Sequence, residues 1–138
     1  MVDFEKYREL STKLNELTNT AWMKVNGLVI ADVINGEVDL RKLDRAVMDL
    51  SSKCNEMSRT LSREMDRLSE DDYDRLDREY MEVDDLFSKV DSKLSVIDSI
   101  ISDLKSIQDD CEEEECAKKF SDIKVIRLGE SLRLRRFN

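Results

Sequence analysis

Apolar residues recur at alternating intervals of three and four over most of Glu37–Leu128, a stretch that contains neither glycine nor proline. This alternation averages about 3.5 residues and keeps one narrow apolar stripe along a gently supercoiled helix. A single helix cannot bury its own stripe, so the pattern predicts a partner-binding seam. The seam residues are Leu40, Leu43, Val47, Leu50, Met57, Leu61, Leu76, Tyr80, Val83, Phe87, Val90, Leu94, Ile97, Ile101 and Leu104.

An N-terminal segment, residues 1–36, carries a separate apolar pattern that predicts a helix over about residues 3–34. The residues at helical spacing are Phe4, Tyr7, Leu10, Leu14, Leu17, Ala21, Val25 and Leu28. The run 28–34 is rich in β-branched residues, as a strand would be, but its continuity with the preceding pattern favours a buried helix end. Asn35-Gly36 then predicts a stop, because both residues readily adopt the left-handed conformation at a helix C-terminus.

The second region, residues 37–116, is predicted to be an elongated coiled-coil rod, which makes the fold class all-α. Asp39 is expected to cap a helix that begins at Leu40. The stripe positions Tyr80 and Phe87 place aromatic side chains where a regular homodimeric zipper accommodates them poorly. This favours a hetero-oligomer in which neighbouring helices of other coiled-coil proteins offer smaller residues opposite.

The pattern near residues 69–72 fits two interpretations of this rod. Ser69, with Asp72 three residues later, resembles a capping box, and the stripe changes phase here. Either the helix ends and the next one folds back, or one long helix continues past a phase slip. The absence of glycine and proline favours one long rod, bent at 69–72.

The formal charge of −9 is unevenly distributed. Residues 1–116 hold the acidic excess and should repel phosphate, so we expect no nucleic-acid partner. Residues 117–138 form a basic tail with seven Lys and Arg side chains against two acids, and we expect the tail to be flexible. Such a tail could contact an acidic surface, although solubility is its commoner role.

Catalytic and cofactor chemistry is not indicated. The chain has no histidine, hence no Ser-His or Cys-His pair, and it has no glycine-rich loop for phosphate. We therefore expect no enzyme activity, no cofactor and no metal. Three cysteines, with Cys54 and Cys111 on the stripe and Cys116 off it, favour a reducing compartment. No signal peptide or membrane span is evident, so the expected location is cytoplasmic.

Residues 68–106 contain a set of positions that match a known family, with a Leu43–Leu50 helix at a compatible distance upstream. The matching residues are Leu76, Met81, Phe87, Lys89-Val90-Asp91 and Leu94. Here the chain resembles the cappuccino-type subunit (subunit four) of the biogenesis of lysosome-related organelles complex. The resemblance implies a non-enzymatic scaffold subunit of a hetero-oligomeric coiled-coil complex that acts in vesicle and endosomal trafficking toward lysosome-related organelles. It also implies peripheral membrane association through the complex, and it supplies no catalytic residues.

Two other functions are compatible with the same pattern. A cytoskeletal or kinetochore coiled-coil subunit would show similar heptads, with the basic tail binding tubulin or another partner. A self-assembling homodimer would need no other chain. The pattern identifies neither the partner nor the register.

Overall fold

The computed structural model describes residues 2–110, in which four α-helices follow one another. They are α1 (Phe4–Asn26), α2 (Ile30–Ile34), α3 (Leu40–Asp66) and α4 (Glu70–Asp110). The all-α prediction is confirmed, and α4, with 41 residues, is a long helix of the kind that the stripe predicts. The predictions for the basic tail, Cys111 and Cys116 lie outside the described residues. No helix within residues 2–110 is long and apolar enough to cross a membrane.

Each of the three long helices is directly preceded by a residue whose side-chain oxygen accepts a hydrogen bond from the backbone N–H three residues later. This interaction satisfies one of the amide groups that a helix N-terminus leaves without a partner. The donor–acceptor pairs are Lys6 N to Asp3 Oδ1 (3.2 Å), Lys42 N to Asp39 Oδ1 (3.2 Å) and Asp72 N to Ser69 Oγ (3.3 Å). The caps predicted at Asp39 and Ser69 are confirmed.

The single N-terminal helix predicted over residues 3–34 is wrong at one point, because the chain leaves helical geometry after Gly27. Val29 is extended, with φ −97° and ψ 130°, and α2 begins after it. In one continuous helix, Ile30 would point about 140° away from Val25. The interruption lets both side chains be fully buried.

The predicted stop at Asn35-Gly36 is confirmed. Gly36 has φ +75°, its N–H donates to the Val33 carbonyl at 3.2 Å, and the N–H of Glu37 donates to the Asp32 carbonyl at 2.9 Å. This hydrogen-bond pair is the Schellman motif, which satisfies the last carbonyl groups of a helix. A left-handed residue is required there, and glycine adopts that conformation without steric strain.

The preference for one continuous rod through residues 69–72 is wrong, and the alternative, a break followed by a returning helix, is observed. The α3 helix ends at Asp66, and α4 begins at Glu70. The N–H of Leu68 bonds to the Met65 carbonyl at 3.0 Å, and none of the described non-glycine residues has a positive φ. Because this turn uses ordinary backbone angles, it needs neither glycine nor proline.

The described residues form two compact units. Unit 1 contains the residues up to Asn19 together with Met48–Ser95, and unit 2 contains Thr20–Val47 together with the residues from Val96 onward.

Unit 1 is built from three helical segments, contributed by α1, α3 and α4. Arg8 pairs with Glu79, and Lys93 bonds to Asn15, so α1 runs parallel to α4 in this unit. The α3 segment is antiparallel to both. The buried apolar side chains are Phe4, Tyr7, Leu14, Cys54, Leu61, Met65, Val83, Phe87, Val90 and Leu94.

Unit 2 is built from the end of α1, the short α2, the start of α3 and the end of α4. Gln108 Nε2 donates to the Val33 carbonyl at 2.8 Å, which ties α4 to α2. Lys105 Nζ lies 2.9 Å from Asp44 Oδ2, which ties α4 to α3. The buried apolar side chains are Val25, Ile30, Val33, Leu40, Val47, Ile97, Ile101 and Leu104.

Candidate interaction surface

Most of the predicted seam is covered by the chain itself. The premise that the stripe needs another chain for its burial is therefore wrong, because neighbouring helices of the same unit enclose it. Burial of each such side chain contributes about 1.5–3 kcal/mol to folding, and this contribution is made before any partner binds. The seam residues that are buried are Leu40, Val47, Leu61, Val83, Phe87, Val90, Leu94, Ile97, Ile101 and Leu104.

The other seam residues are only half-buried. They are Leu43, Leu50, Met57, Leu76 and Tyr80. Among the predicted seam residues, these five have the side chains whose apolar atoms are substantially accessible to solvent. The partner-binding role of the seam stays a prediction, and a partner could contact this smaller group directly.

Polar contacts between α3 and α4 in unit 1 fix how these helices face each other. Ser58 Oγ donates to Asp84 Oδ1 at 2.9 Å, and Ser51 Oγ lies 3.5 Å from Asp91 Oδ1. Between them, Cys54 Sγ donates to the Phe87 carbonyl at 3.2 Å. The residue numbers rise on α3 as they fall on α4, which is the pattern of an antiparallel hairpin.

Cys54 is not a reactive thiol in this setting. Burial, and then the negative charge of Asp91, raise the pKa of Cys54 to about 11. The thiolate is the nucleophilic and metal-binding form, and at neutral pH a thiol with this pKa is almost entirely protonated. Cys54 therefore acts as a small buried residue with one hydrogen bond.

Tyr7 links all three segments of unit 1. Its hydroxyl donates to Glu64 Oε2 at 2.8 Å, and its ring meets Phe87 edge to face, with centroids 6.5 Å apart and planes at 80°. Burial, followed by the hydrogen bond with Glu64, raises the pKa of Tyr7 to about 12. The phenol is thus held in its neutral form and has a packing role.

A charged cluster in unit 2 joins α3 to α4. The hydrogen bond from Lys105 lowers the pKa of Asp44. Partial desolvation, and then the hydrogen bond with Asp44, raise the pKa of Asp98, although the residue is exposed. The pKa values of the two carboxyl groups thus shift in opposite directions, so that Asp98 takes up a proton before Asp44 as the pH falls. The contact between Lys105 and Asp44 thus has a structural role.

A cavity of about 540 Å³ lies between α1 and α4 in unit 1. Ser11, Thr12 and Asn15 of α1 line it, and Lys93 Nζ bonds to Asn15 Oδ1 at 2.7 Å across it. The hydroxyls of Ser11 and Thr12 both donate to the Arg8 carbonyl, so neither is paired with a base. Within residues 2–110, no group of three or more Cys, Asp and Glu side chains is arranged to hold a metal ion.

The opposite side of α1 carries apolar residues that the apolar pattern of the sequence alone does not distinguish from core residues. Leu17 is 50% exposed, and Leu10 is half-buried. On α3, Leu50 and Met57 are half-buried as well. We call the surface formed by Leu10, Leu17, Leu50 and Met57 the α1–α3 groove.

The reason that Leu17 lies outside the core is local. Ser11 and Thr18 occupy the buried face of α1, where their hydroxyls donate to the carbonyls of Arg8 (2.8 Å) and Leu14 (2.7 Å). Such backbone bonding satisfies a buried hydroxyl and lets a polar residue occupy a core position. Because these two buried residues are polar, the apolar pattern omits them and includes the exposed Leu17 in their place.

Other large apolar side chains are also exposed. They are Met23, Met48, Met81 and Leu86. Isolated exposed apolar residues are normal on protein surfaces, whereas a contiguous group often marks an interaction site. The Tyr7–Glu64 hydrogen bond sets the register of α1 against α3 and places Leu10, Leu17, Leu50 and Met57 on the sides of the two helices that face each other, so we infer that they form such a group within unit 1.

Comparison of the chain with protein-family models, with curated proteins and with solved structures found no match. The geometry of the described residues is therefore the basis for a functional assignment.

Proposed function

We propose that this chain is a non-enzymatic helical subunit that binds other helical proteins in a hetero-oligomeric complex. The α1–α3 groove carries this proposal, because apolar side chains from two helices line one surface of a unit whose core is already filled. Leu17, at 50% exposure, is the most accessible residue of the groove. A helix laid along such a surface would bury apolar area on both sides, which favours association.

The state of the reactive side chains supports a non-catalytic role. Cys54 and Tyr7 have raised pKa values and are held in their neutral forms by burial and hydrogen bonds. The sequence contains no histidine that could act as a general base near neutral pH. Tyr7 and Cys54 thus have structural partners, which supports a packing role for both side chains.

A narrower form of the proposal places the complex in endosomal trafficking toward lysosome-related organelles. Its support is the resemblance of residues 68–106 to the cappuccino-type subunit. In this form the chain is cytoplasmic and reaches endosomal or lysosome-related membranes peripherally, through its complex. The identity of co-purifying proteins would test it.

The test is affinity purification of the tagged full chain from its own cells, followed by mass spectrometry and sedimentation. We expect several helical proteins at fixed stoichiometry, and trafficking components among them if the narrower form holds. Recovery of the chain alone as a monomer would overturn the proposal. Recovery of the chain alone at twice its mass would instead establish a homodimer.

A pair of variants tests the surface that carries the proposal. Leu17→Asp places a charge in the α1–α3 groove, and Met23→Asp makes a similar change at an exposed residue of unit 2. We expect Leu17→Asp to release the co-purifying proteins and Met23→Asp to retain them. Circular dichroism of both variants should match that of the unmodified chain, because both side chains are at least half exposed. Retention of all partners by Leu17→Asp would contradict the role of the groove.

A further inference from the structure

The α1 side of the groove alternates lysine and leucine along one line. Lys6, Leu10, Lys13 and Leu17 follow one another at intervals of four, three and four, which places them on one face of a helix. Lys6 and Lys13 are exposed. Arg8 and Asn15, which contact α4, lie on the other side of the buried face. The lysine–leucine line therefore borders α3 and not α4.

The α3 side of the groove is defined in the same way. Leu50, Lys53, Met57, Thr60 and Glu64 follow one another at intervals of three and four. The last of them is hydrogen-bonded to Tyr7 of α1, so this line faces α1. Lys53 is exposed on it, between two half-buried apolar residues.

The charge of the groove is opposite to that of most of the chain. Lys6, Lys13 and Lys53 flank its apolar residues, and within the described part of the chain none of the three is in an ion pair. Lys6 Nζ lies 5.8 Å from the centre of the Tyr7 ring. Glu64 accepts a hydrogen bond from the Tyr7 hydroxyl and keeps its negative charge, so the two lines of the groove carry three lysines against one carboxylate. In a protein with a formal charge of −9, this is a basic border around an apolar surface.

We propose that the α1–α3 groove binds an acidic amphipathic helix of a partner protein, whose apolar face covers Leu10, Leu17, Leu50 and Met57 while its carboxylates pair with Lys13 and Lys53. This inference rests on the proposed function and adds the chemistry of the partner. An apolar helix face fits a groove between two helices, and opposite charges at the border set orientation and speed of encounter.

A second copy of this chain fits the groove less well. On the described part of its acidic α4, the large apolar residues that are exposed are Met81 and Leu86. Met81 lies among Asp and Glu side chains, and no second exposed apolar residue follows it at intervals of three or four. Such a helix would meet the lysines but would leave most of the groove uncovered. A partner helix with a full apolar stripe satisfies both the charge and the area.

The first step of the test identifies what covers the groove. The probe is a photoreactive benzoylphenylalanine at position 17 of the tagged full chain, expressed in its own cells, with the same probe at position 23 as the control. We expect irradiation to attach, at position 17 only, a segment of another protein with apolar residues at intervals of three and four and Asp or Glu between them. Attachment to a second copy of this chain, or to a basic segment, would overturn the inference.

The second step tests the lysines, using a synthetic peptide of the attached segment. Lys13→Glu with Lys53→Glu should weaken binding about tenfold or more at low ionic strength, and added salt should reduce this difference. Lys24→Glu with Lys42→Glu makes the same change in net charge at two exposed lysines of unit 2 and should leave affinity unchanged. Equal affinity of the two double variants would overturn the role of the groove charge.

The two proposals fail in different ways. If partners co-purify but nothing attaches at position 17, the inference about the groove is overturned and the proposed function stands. If no partner co-purifies, the proposed function is overturned and the inference falls with it.

Discussion

The hydroxyl of Tyr7 donates a 2.8 Å hydrogen bond to the carboxylate of Glu64, and this bond joins the beginning of α1 to the end of α3. The two residues are far apart in sequence, and the bond brings together two apolar patterns that the sequence presents as separate segments. The Tyr7 ring also lies edge to face against Phe87 of α4. One side chain thus contacts every helical segment of unit 1.

Replacement of Tyr7 by Phe tests this link. Tyr7→Phe retains the ring but leaves the half-buried Glu64 carboxylate without its donor, so we expect the free energy of unfolding to fall by about 1–3 kcal/mol. Urea denaturation followed by circular dichroism would measure the change. Tyr73→Phe, at the start of α4, is a control and should change stability by less than about 0.5 kcal/mol. An equal effect of the two substitutions would contradict the importance of the bond.

The raised pKa values of Tyr7 and Cys54 predict a loss of stability at alkaline pH. A group with a raised pKa in the folded state is protonated more strongly there than in the unfolded chain. Its contribution is complete below the ordinary pKa, near 10 for Tyr7 and 9 for Cys54, and is lost as pH rises through the folded values of about 12 and 11. Thermal unfolding at pH 8, 10 and 11 should show a falling midpoint. In Tyr7→Phe the fall should be smaller, and an unchanged slope would contradict the assignment.

Phe87→Ala tests the claim that the chain fills its own seam. Phe87 is 1% exposed, so removal of its ring should leave a cavity and lower the free energy of unfolding by about 3–5 kcal/mol. Leu86→Ala, at the adjacent and partly exposed residue, is the matched control and should cost much less. The measurement is urea denaturation of the isolated chain at low concentration, where partners are absent. A small effect of Phe87→Ala there would mean that Phe87 is not packed in the isolated chain.

The pair of carboxyl groups formed by Asp44 and Asp98 in unit 2 leads to two predictions about melting temperature. At pH 7, Asp98→Asn should raise the melting temperature and Lys105→Met should lower it. The raised pKa of Asp98 means that its charge opposes folding at neutral pH, so Asp98→Asn should raise the melting temperature at pH 7 and have little effect at pH 3. The lowered pKa of Asp44 means that its charge favours folding above the ordinary pKa of the group. This contribution is lost as pH falls through the folded value.

Lys105→Met tests the Asp44 half of the pair, because it removes the cation that lowers the pKa of that carboxyl group. The melting temperature should fall at pH 7 and change less at pH 3. For Asp98→Asn, the control with the same change in net charge is Asp109→Asn, at an exposed residue near the end of α4. Differential scanning calorimetry at both pH values would measure these effects. Equal behaviour of Asp98→Asn and Asp109→Asn would exclude the coupling.

The sequence predicts the local features of this fold well, because their causes are local. The side chains of Asp39 and Ser69 cap the helices that follow them, and Gly36 adopts the left-handed conformation that the stop requires. The break before Glu70 is harder to predict, since a turn with ordinary backbone angles leaves no glycine or proline as a marker. The phase change of the stripe and the cap at Ser69 were the available signals.

The candidate site could not be predicted from the stripe alone. Whether Phe87 faces a partner or faces Tyr7 depends on which helices return beside it, and a periodic pattern is the same in both cases. The apolar pattern places Leu17 on the same face as Leu14, because both are apolar at helical spacing. Only the burial of Ser11 and Thr18 shows that the core face is rotated away from Leu17.

The self-covered stripe changes what assembly would demand of this chain. Since Phe87 and Leu94 are enclosed before any encounter, a partner need not supply the free energy that orders the helices. Docking would then cost mainly the loss of rigid-body freedom and the ordering of a few surface side chains. Such a subunit can be released intact and bound again, so its complexes could exchange members without passing through an unfolded chain.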